Sequence, residues 1–228
     1  MKIDEGAVRN WLGPRRFAGE VRKRTSDPGV ATGLAWTPVG GDVLFIEAQA
    51  YPGEGKLKLT GQLSEVMQES AHAALSWVRS HAEQLGLDPA WFSTNDIHIH
   101  VPAAAVPKDG PSAGVTIATA IVSLARGVPV SEDVAMTGEI TLTGQVLQIG
   151  GVREKVLAAQ RAGVSKVILP RENAGDLEEL PPETREQLEF VLVDSIEEVL
   201  HAALDGAVPV RRRRGRPTAV ERQAARSR

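Results

Sequence analysis

The sequence predicts an α/β domain built around a mixed β-sheet. Its 228 residues, of which 42% are hydrophobic and 24% charged, suffice for one sizeable core. Strand patterns dominate the first third of the chain, whereas helix and strand patterns alternate in the final third. The sequence contains no internal repeat of fixed period, so we expect a single domain rather than a repeat array.

The first half of the chain combines short strands with one long helix. Residues 43–50 form an apolar run typical of a strand, and residues 56–59 alternate like a half-exposed strand after a Pro-Gly turn. Residues 62–85 carry apolar side chains at helical spacing, which predicts one helix that ends at Gly86. Residues 97–101 are predicted to form a strand that leads into the following loop.

The second half alternates helices and strands. Glycine and proline mark several of the predicted ends, such as Gly127 and Pro129 after the first of these helices. The elements predicted here are helices at 112–126, 150–163 and 195–204, a strand pair within 139–146, and short buried strands at 166–170 and 190–193.

The loop 107–114, Pro-Lys-Asp-Gly-Pro-Ser-Ala-Gly, places one serine directly before an apolar helix. Its prolines fix φ, and Gly110 tolerates backbone angles that other residues avoid. Ser112 would therefore lie beside the N-terminal amides and the positive dipole end of the helix, which suit an oxyanion. Alternatively, Ser112 acts only as an N-cap, a role that serine often has. The segment alone leaves both interpretations open.

The segment 150–163 predicts a short helix with one charged residue on its apolar side. Val152, Val156 and Ala159 form an apolar stripe, and Lys155 lies at its edge. Burial disfavours the ammonium form, so a lysine in this position loses its proton more easily and can activate a serine hydroxyl. The alternative is a Lys155 side chain that extends along its stem to solvent.

Three other basic side chains compete for a role. Lys108 is close to Ser112 in the sequence, but its loop position predicts a solvated amine with an ordinary pKa of ~10.4. His98 and His100 are two residues apart on a strand and share one face, so they could supply two zinc ligands. Because no His-Glu-x-x-His motif accompanies them, structural roles are favoured for both histidines.

Four ordered blocks of the chain resemble the proteolytic domain of Lon proteases, namely residues 59–70, 107–114, 137–146 and 149–155. The resemblance covers roughly residues 30 to 204. It implies that Ser112 is the nucleophile and Lys155 the general base of a Ser-Lys dyad. Thr137 matches a threonine that is expected to orient the lysine.

The resemblance also implies that Asp109 and Gly110 belong to the loop that shapes the oxyanion hole. Because Pro111 has no N–H, the expected donors are the Ser112 amide and one amide from Asp109 or Gly110. The chain departs from the family pattern at residues 103–105, where three alanines replace the Glu-Gly that Lon sequences often carry. This departure puts a role for that carboxylate in question but leaves the dyad untouched.

The same resemblance implies a serine endopeptidase that cleaves unfolded proteins and peptides. It further implies a hexameric ring with active sites facing an inner chamber, and an ATPase module of Lon type in the full-length protein. Peptide cleavage by a Ser-Lys dyad requires no metal and no organic cofactor. The 228 residues contain no Gly-x4-Gly-Lys-Ser/Thr phosphate loop, so we do not expect this chain itself to hydrolyse ATP.

The predicted domain covers residues 30–205 and is flanked by two basic segments. Residues 1–29 resemble the junction that leads out of a Lon ATPase module. Residues 206–228 form a tail with eight arginines and one glutamate from residue 211 onwards, and we expect this tail to be disordered. It could contact nucleic acid, although a solvated tail is favoured because no aromatic residues interleave its charges.

The composition favours a cytoplasmic protein. The absence of cysteine excludes disulfides, thiolate metal sites and a cysteine nucleophile. We find no signal peptide and no apolar run of membrane-spanning length, so no membrane partner is expected.

Two alternatives come from other functional classes. Residues 110–114 match the Gly-x-Ser-x-Gly elbow of α/β-hydrolases, and Asp194 and His201 follow in the order that a triad with Ser112 needs. However, a proline-bracketed loop replaces the strand that should precede such an elbow. The other alternative is a non-catalytic ring or nucleic-acid-binding module, which the basic tail motivates.

Overall fold

A seven-stranded mixed β-sheet lies at the centre of the computed structural model, which describes residues 25–38, 40–102 and 109–205 together with Trp11. The sheet order is β3-β4-β2-β1-β5-β8-β9, while β6 and β7 form a separate two-stranded ribbon. This architecture confirms the predicted α/β class. The strands are β1 (Val30–Thr37), β2 (Gly40–Pro52), β3 (Leu57–Thr60), β4 (Asn95–His100), β5 (Val134–Met136), β6 (Glu139–Ile140), β7 (Val146–Leu147), β8 (Lys166–Pro170) and β9 (Glu189–Val193).

Helices and 3-10 turns connect these strands. The helices are α1 (Glu65–Ser80), α2 (Trp91–Thr94), α3 (Gly114–Arg126), α4 (Val152–Ala162), α5 (Pro182–Gln187) and α6 (Ile196–Ala203). The 3-10 turns are Glu83–Leu85, Pro111–Ala113 and Arg171–Glu179. None of the helices in the described part of the chain combines the length and the hydrophobicity that a membrane span requires.

The strand directions divide the sheet into two halves. β2 runs antiparallel to both β1 and β4, and β3 runs parallel to β4. β1, β5, β8 and β9 are parallel to one another. Parallel neighbours need crossover connections, and α4 and α5 lie in the connections that lead to β8 and β9.

Helices cover both faces of the sheet. Neighbouring residues of a strand point to opposite faces, so one strand contributes side chains to both cores. In β5, Val134 and Met136 belong to the core that packs against α1, α3 and α6. Ala135, between them, belongs to the second core, which packs against α4. The two catalytic candidates therefore reach the sheet from different layers: Ser112 just before α3, and Lys155 on α4.

The predicted helix at 62–85 is wrong in its extent. It begins at Glu65, because the Ser64 hydroxyl caps it by accepting from the Met67 amide at 3.3 Å. At His81 the backbone leaves the helical region, with φ −115° and ψ 14°. Residues Glu83–Leu85 continue as a tighter 3-10 turn, which ends at Gly86 and buries Leu85.

Two strands were not predicted. β1 reads Val-Ala-Thr-Gly-Leu-Ala-Trp-Thr, which lacks a polar–apolar alternation because its central residues are buried on both faces. β5 has only three residues, too few for a period to be visible. Both segments are identified as strands by their pairing with neighbouring strands in the sheet, and not by a pattern in their own sequence.

Several predictions concern residues outside the described part of the chain. They are those for most of segment 1–29, for the alanines at 103–105, for Lys108 and for the Arg-rich tail from 206 onwards.

Candidate active site

Ser112 lies in the 3-10 turn Pro111–Ala113, directly before α3. Ala113 is the cap residue of that helix and makes no side-chain cap, so Ser112 does not have the N-cap role considered from the sequence. The Ser112 carbonyl accepts from the Gly138 amide at 2.8 Å and from Thr137 Oγ1 at 3.3 Å. These bonds hold the turn against the segment between β5 and β6.

Close packing explains why a glycine, Gly114, lies two positions after Ser112. A Cβ at Gly114 would lie 2.7 Å from Ile140 Cγ2 and 2.8 Å from Ser70 Oγ. Both distances are shorter than van der Waals contact, so only glycine allows the turn to approach β6 and α1 this closely. The second glycine of the Gly-x-Ser-x-Gly pattern is thus accounted for by packing, and the first, Gly110, by its positive φ of 97°.

Lys155 is held by the packing of α4 on β1 and β2. Val152, Val156 and Ala159 are buried in the second core, as the apolar stripe predicts. Lys155 itself is only 3% exposed. The side chain therefore does not extend to solvent, which excludes the alternative considered for it.

The Lys155 amine contacts two hydroxyls. Lys155 Nζ donates to Ser112 Oγ at 3.2 Å and to Thr137 Oγ1 at 3.2 Å. Burial lowers the pKa of Lys155 from 10.5 to about 8, because the ammonium form loses its hydration. With this pKa, roughly a tenth of the lysine is neutral at pH 7, and the neutral amine can accept a proton.

The Asp109 carboxylate organises the loop before the serine. Asp109 Oδ1 accepts from Ser64 Oγ at 2.6 Å and from the Gly110 amide at 2.7 Å. The hydrogen bond from Ser64, together with the one from Gly110, holds the pKa of this exposed carboxyl below its ordinary value. Of the two amides considered as second oxyanion donor, that of Gly110 is engaged by Asp109 in this conformation.

Two cavities meet at the Ser112–Lys155 pair. One has a volume of about 120 Å³ and apolar walls that include Leu34, Leu44 and Met67. The other is an open cleft of about 380 Å³. Its walls include Trp36, Glu139, Gln148, Gly150 and Gly151. Both cavities thus border Ser112 and leave open space beside its side chain.

The alternative triad is not assembled. Asp194 Oδ2 accepts from Arg171 Nε at 2.7 Å, and His201 lies exposed on α6. The Ser112 hydroxyl contacts Lys155 instead.

The two strand histidines contact a threonine. His98 Nε2 and His100 Nδ1 lie 2.9 Å and 2.7 Å from Thr60 Oγ1. Within the described ranges, no group of three or more His, Cys, Asp or Glu side chains is arranged to hold a metal ion.

Sequence reasoning missed Ser64, Ser70 and Trp36 as residues of the site. Ser64 caps α1 and Ser70 lies near its start, and both bond to the loop around Ser112, more than 40 residues away. Trp36 is 56% exposed and contributes to the walls of both cavities. The sequence gives no signal for Ser64 or Ser70. Trp36 stands out only as an exposed aromatic side chain, and its exposure is visible only in the structure.

Comparison with known proteins places the chain in a family. Residues 2–206 match the model of the Lon protease (S16) C-terminal proteolytic domain. The chain is 57% identical over 202 residues to a Lon protease of Chloroflexus aurantiacus, which covers 89% of this chain and 24% of that protein. It is 58% identical over 204 residues to a Lon protease of Methylocella silvestris, covering 90% of this chain and 25% of that protein.

A eukaryotic relative shows the same similarity. The chain is 54% identical over 218 residues to the peroxisomal Lon protease homolog 2 of Mus musculus, covering 93% of this chain and 26% of that protein. It thus spans about a quarter of the length of the curated relatives that it matches. The chain belongs to the Lon protease (S16) C-terminal proteolytic domain family, which is a family of serine peptidases.

Proposed function

We propose that this chain is a serine endopeptidase of Lon type that cleaves unfolded proteins and peptides with Ser112 and Lys155. The observation that carries the proposal is the 3.2 Å contact between Ser112 Oγ and the amine of a lysine that is 3% exposed. A buried amine with a pKa of about 8 supplies the base that a serine hydroxyl needs.

The chemistry follows from these two atoms. Neutral Lys155 takes the proton of Ser112 Oγ while that oxygen attacks the carbonyl carbon of the peptide bond. The C–N bond breaks, and Lys155 returns the proton to the departing amine, which leaves an acyl ester on Ser112. Water then attacks the ester with Lys155 as base, the product carboxylate leaves, and the serine hydroxyl is restored.

The neighbouring residues position these groups. Thr137 accepts from Lys155 Nζ and donates to the Ser112 carbonyl, so it ties the base to the nucleophile turn. Asp109 and Gly110 shape the oxyanion loop through their mutual hydrogen bond and the bond to Ser64. The Ser112 amide serves as one oxyanion donor, because Pro111 has no N–H.

The substrate is an extended, unfolded chain, because two cavities border Ser112 and the larger one is an open cleft that a polypeptide can occupy. In the full-length protein an ATPase module delivers such chains, and six copies form a cytoplasmic ring with an inner chamber. The support for these assignments is the match to Lon proteases, of which this chain spans about a quarter. The eight arginines of segment 211–228 could contact nucleic acid, although a solvated tail is the favoured interpretation.

Cleavage of an unfolded protein and a fluorogenic peptide, without ATP, tests the proposed function. The wild-type chain is compared with Ser112→Ala and with His201→Ala, which removes the histidine of the alternative triad. We expect Ser112→Ala to lower kcat at least about 10³-fold, because the nucleophile is lost. His201→Ala should cleave like the wild type. Loss of activity in His201→Ala, or its retention in Ser112→Ala, would contradict the proposed function.

A further inference from the structure

Ser70 contacts the nucleophile turn but has no part in the chemistry described above. It lies on α1, is 7% exposed, and donates its hydroxyl proton to the Pro111 carbonyl at 3.1 Å. The Gly114 amide donates to the same carbonyl within the 3-10 turn. This carbonyl belongs to the peptide group that directly precedes Ser112, so its two hydrogen bonds act next to the nucleophile.

The geometry of the peptide bond converts this contact into an effect on the Ser112 amide. The Pro111 carbonyl and the Ser112 N–H belong to one planar trans peptide group and point in opposite directions. A hydrogen bond that holds the carbonyl toward α1 therefore holds the N–H away from α1. The peptide group after Ser112 is also held, since its carbonyl accepts from the Gly138 amide at 2.8 Å. Both peptide planes around the nucleophile are thus fixed.

We propose that Ser70 is a positioning residue that aims the Ser112 amide at the oxyanion formed during cleavage. This inference rests on the proposed function, because it presumes that the Ser112 amide stabilises that oxyanion. A preorganised donor costs no reorientation when the charge develops, which is the origin of its effect on rate. Ser70 supplies part of that preorganisation from a rigid helix.

The contact of Ser70 differs from the ordinary behaviour of a helical serine. Serine hydroxyls within helices commonly bond to the carbonyl four residues earlier. Ser76 on the same helix does so, with Ser76 Oγ donating to the His72 carbonyl at 2.7 Å. Ser70 instead bonds across 41 residues of sequence. Gly114 makes room for it, because a Cβ there would lie 2.8 Å from Ser70 Oγ.

The test compares Ser70→Ala with Ser76→Ala, which removes the same atom from the same helix. Loss of one oxyanion donor lowers kcat by about 10²–10³-fold, and Ser70→Ala only loosens such a donor because the Gly114 bond remains. We therefore expect Ser70→Ala to lower kcat about tenfold with KM changed less than about twofold. The affinity for a peptide boronate, whose tetrahedral adduct places an oxygen in the oxyanion hole, should fall by about the same factor. Ser76→Ala should match the wild type in all three quantities.

Thermal unfolding of each variant separates positioning from folding. A purely structural Ser70 would lower the midpoint of unfolding but leave kcat and boronate affinity of the folded protein unchanged, and this result would overturn the inference. Equal losses of boronate affinity and of substrate binding would overturn it as well. If Ser112→Ala cleaves like the wild type, or the wild type neither cleaves nor binds boronate, the proposed function fails and the inference fails with it. If cleavage by the wild type depends on Ser112 but Ser70→Ala cleaves like the wild type, the inference about Ser70 is refuted and the proposed function stands.

Discussion

Replacing Lys155 by methionine is expected to abolish cleavage and, at the same time, to stabilise the fold. Methionine fills a similar volume but cannot accept a proton, so kcat should fall at least about 10³-fold. The difference between a pKa of 10.5 and one of about 8 corresponds to about 3 kcal/mol against the buried ammonium. Methionine lacks this penalty but also loses the contacts to Ser112 and Thr137. We therefore expect a net gain of about 2 kcal/mol in the free energy of unfolding at pH 7.

The pH dependence of this gain has a definite sign. The folded-state pKa of Lys155 lies below the unfolded value, so between about pH 8 and 10.5 the unfolded chain binds more protons than the folded chain. The destabilisation of the wild type by buried Lys155 consequently decreases as the pH rises across that interval. Below about pH 8 the full penalty remains in the wild type. The advantage of Lys155→Met should thus be greatest near neutral pH and should disappear above about pH 10.5.

Chemical denaturation of wild type and Lys155→Met, at about pH 7 and again at about pH 10.5, measures the difference in their free energies of unfolding. Lys58→Met, at an exposed position on β3, is the matched control and should change stability by less than about 0.5 kcal/mol. A Lys155→Met variant that still cleaves peptides, or that is less stable than the wild type at pH 7, would contradict the assignment of Lys155 as a buried base.

The second large effect is expected for Gly41→Ala, which disturbs the contact between β2 and α4, the helix that carries Lys155. A Cβ at Gly41 would lie 1.9 Å from the Glu154 carbonyl oxygen and 2.9 Å from the Lys155 amide nitrogen. Both are backbone atoms of α4, so the clash cannot be relieved by a rotamer change and α4 must move away from β2. We expect a loss of about 3 kcal/mol in the free energy of unfolding, together with reduced cleavage by the folded fraction.

Gly175→Ala is the matched control, because a Cβ there would meet no atom within 4 Å and Gly175 lines neither cavity. Denaturant titration of both variants, followed by kcat measurement, gives the comparison. Wild-type stability in Gly41→Ala would show that α4 does not pack on β2 as closely as the structure indicates.

The sequence predicts most of the fold and the two catalytic candidates for different physical reasons. Strand β8 has the predicted bounds, because its buried apolar run is flanked by turns. The side of α4 on which Lys155 lies follows from helical periodicity, since Val152, Val156 and Ala159 form the stripe beside it. The catalytic roles of Ser112 and Lys155 come from the resemblance to Lon proteases and stay predictions until the variants are measured.

The remaining features depend on contacts that no local pattern encodes. Ser112 and Lys155 are 43 residues apart, and they meet although α3 and α4 pack in different cores on opposite faces of the sheet around β1 and β5. Neither strand has a readable period of its own. Ser70 looks like any small residue on the buried side of α1, and its contact with Pro111 is visible only when the loop is docked. Periodicity reports which side of an element is buried but not which distant residue lies there.

The pH dependence of kcat/KM for a peptide substrate, measured where chemistry limits the rate, tests the neutral-lysine mechanism most directly. This quantity reports the ionisation of the free enzyme, in which Lys155 has a pKa of about 8. The rate should rise about tenfold per pH unit below about pH 8 and level off above it, because only the neutral amine can take the serine proton. A profile that is flat between about pH 6 and pH 9, or one whose midpoint lies near 10.4, would contradict the mechanism.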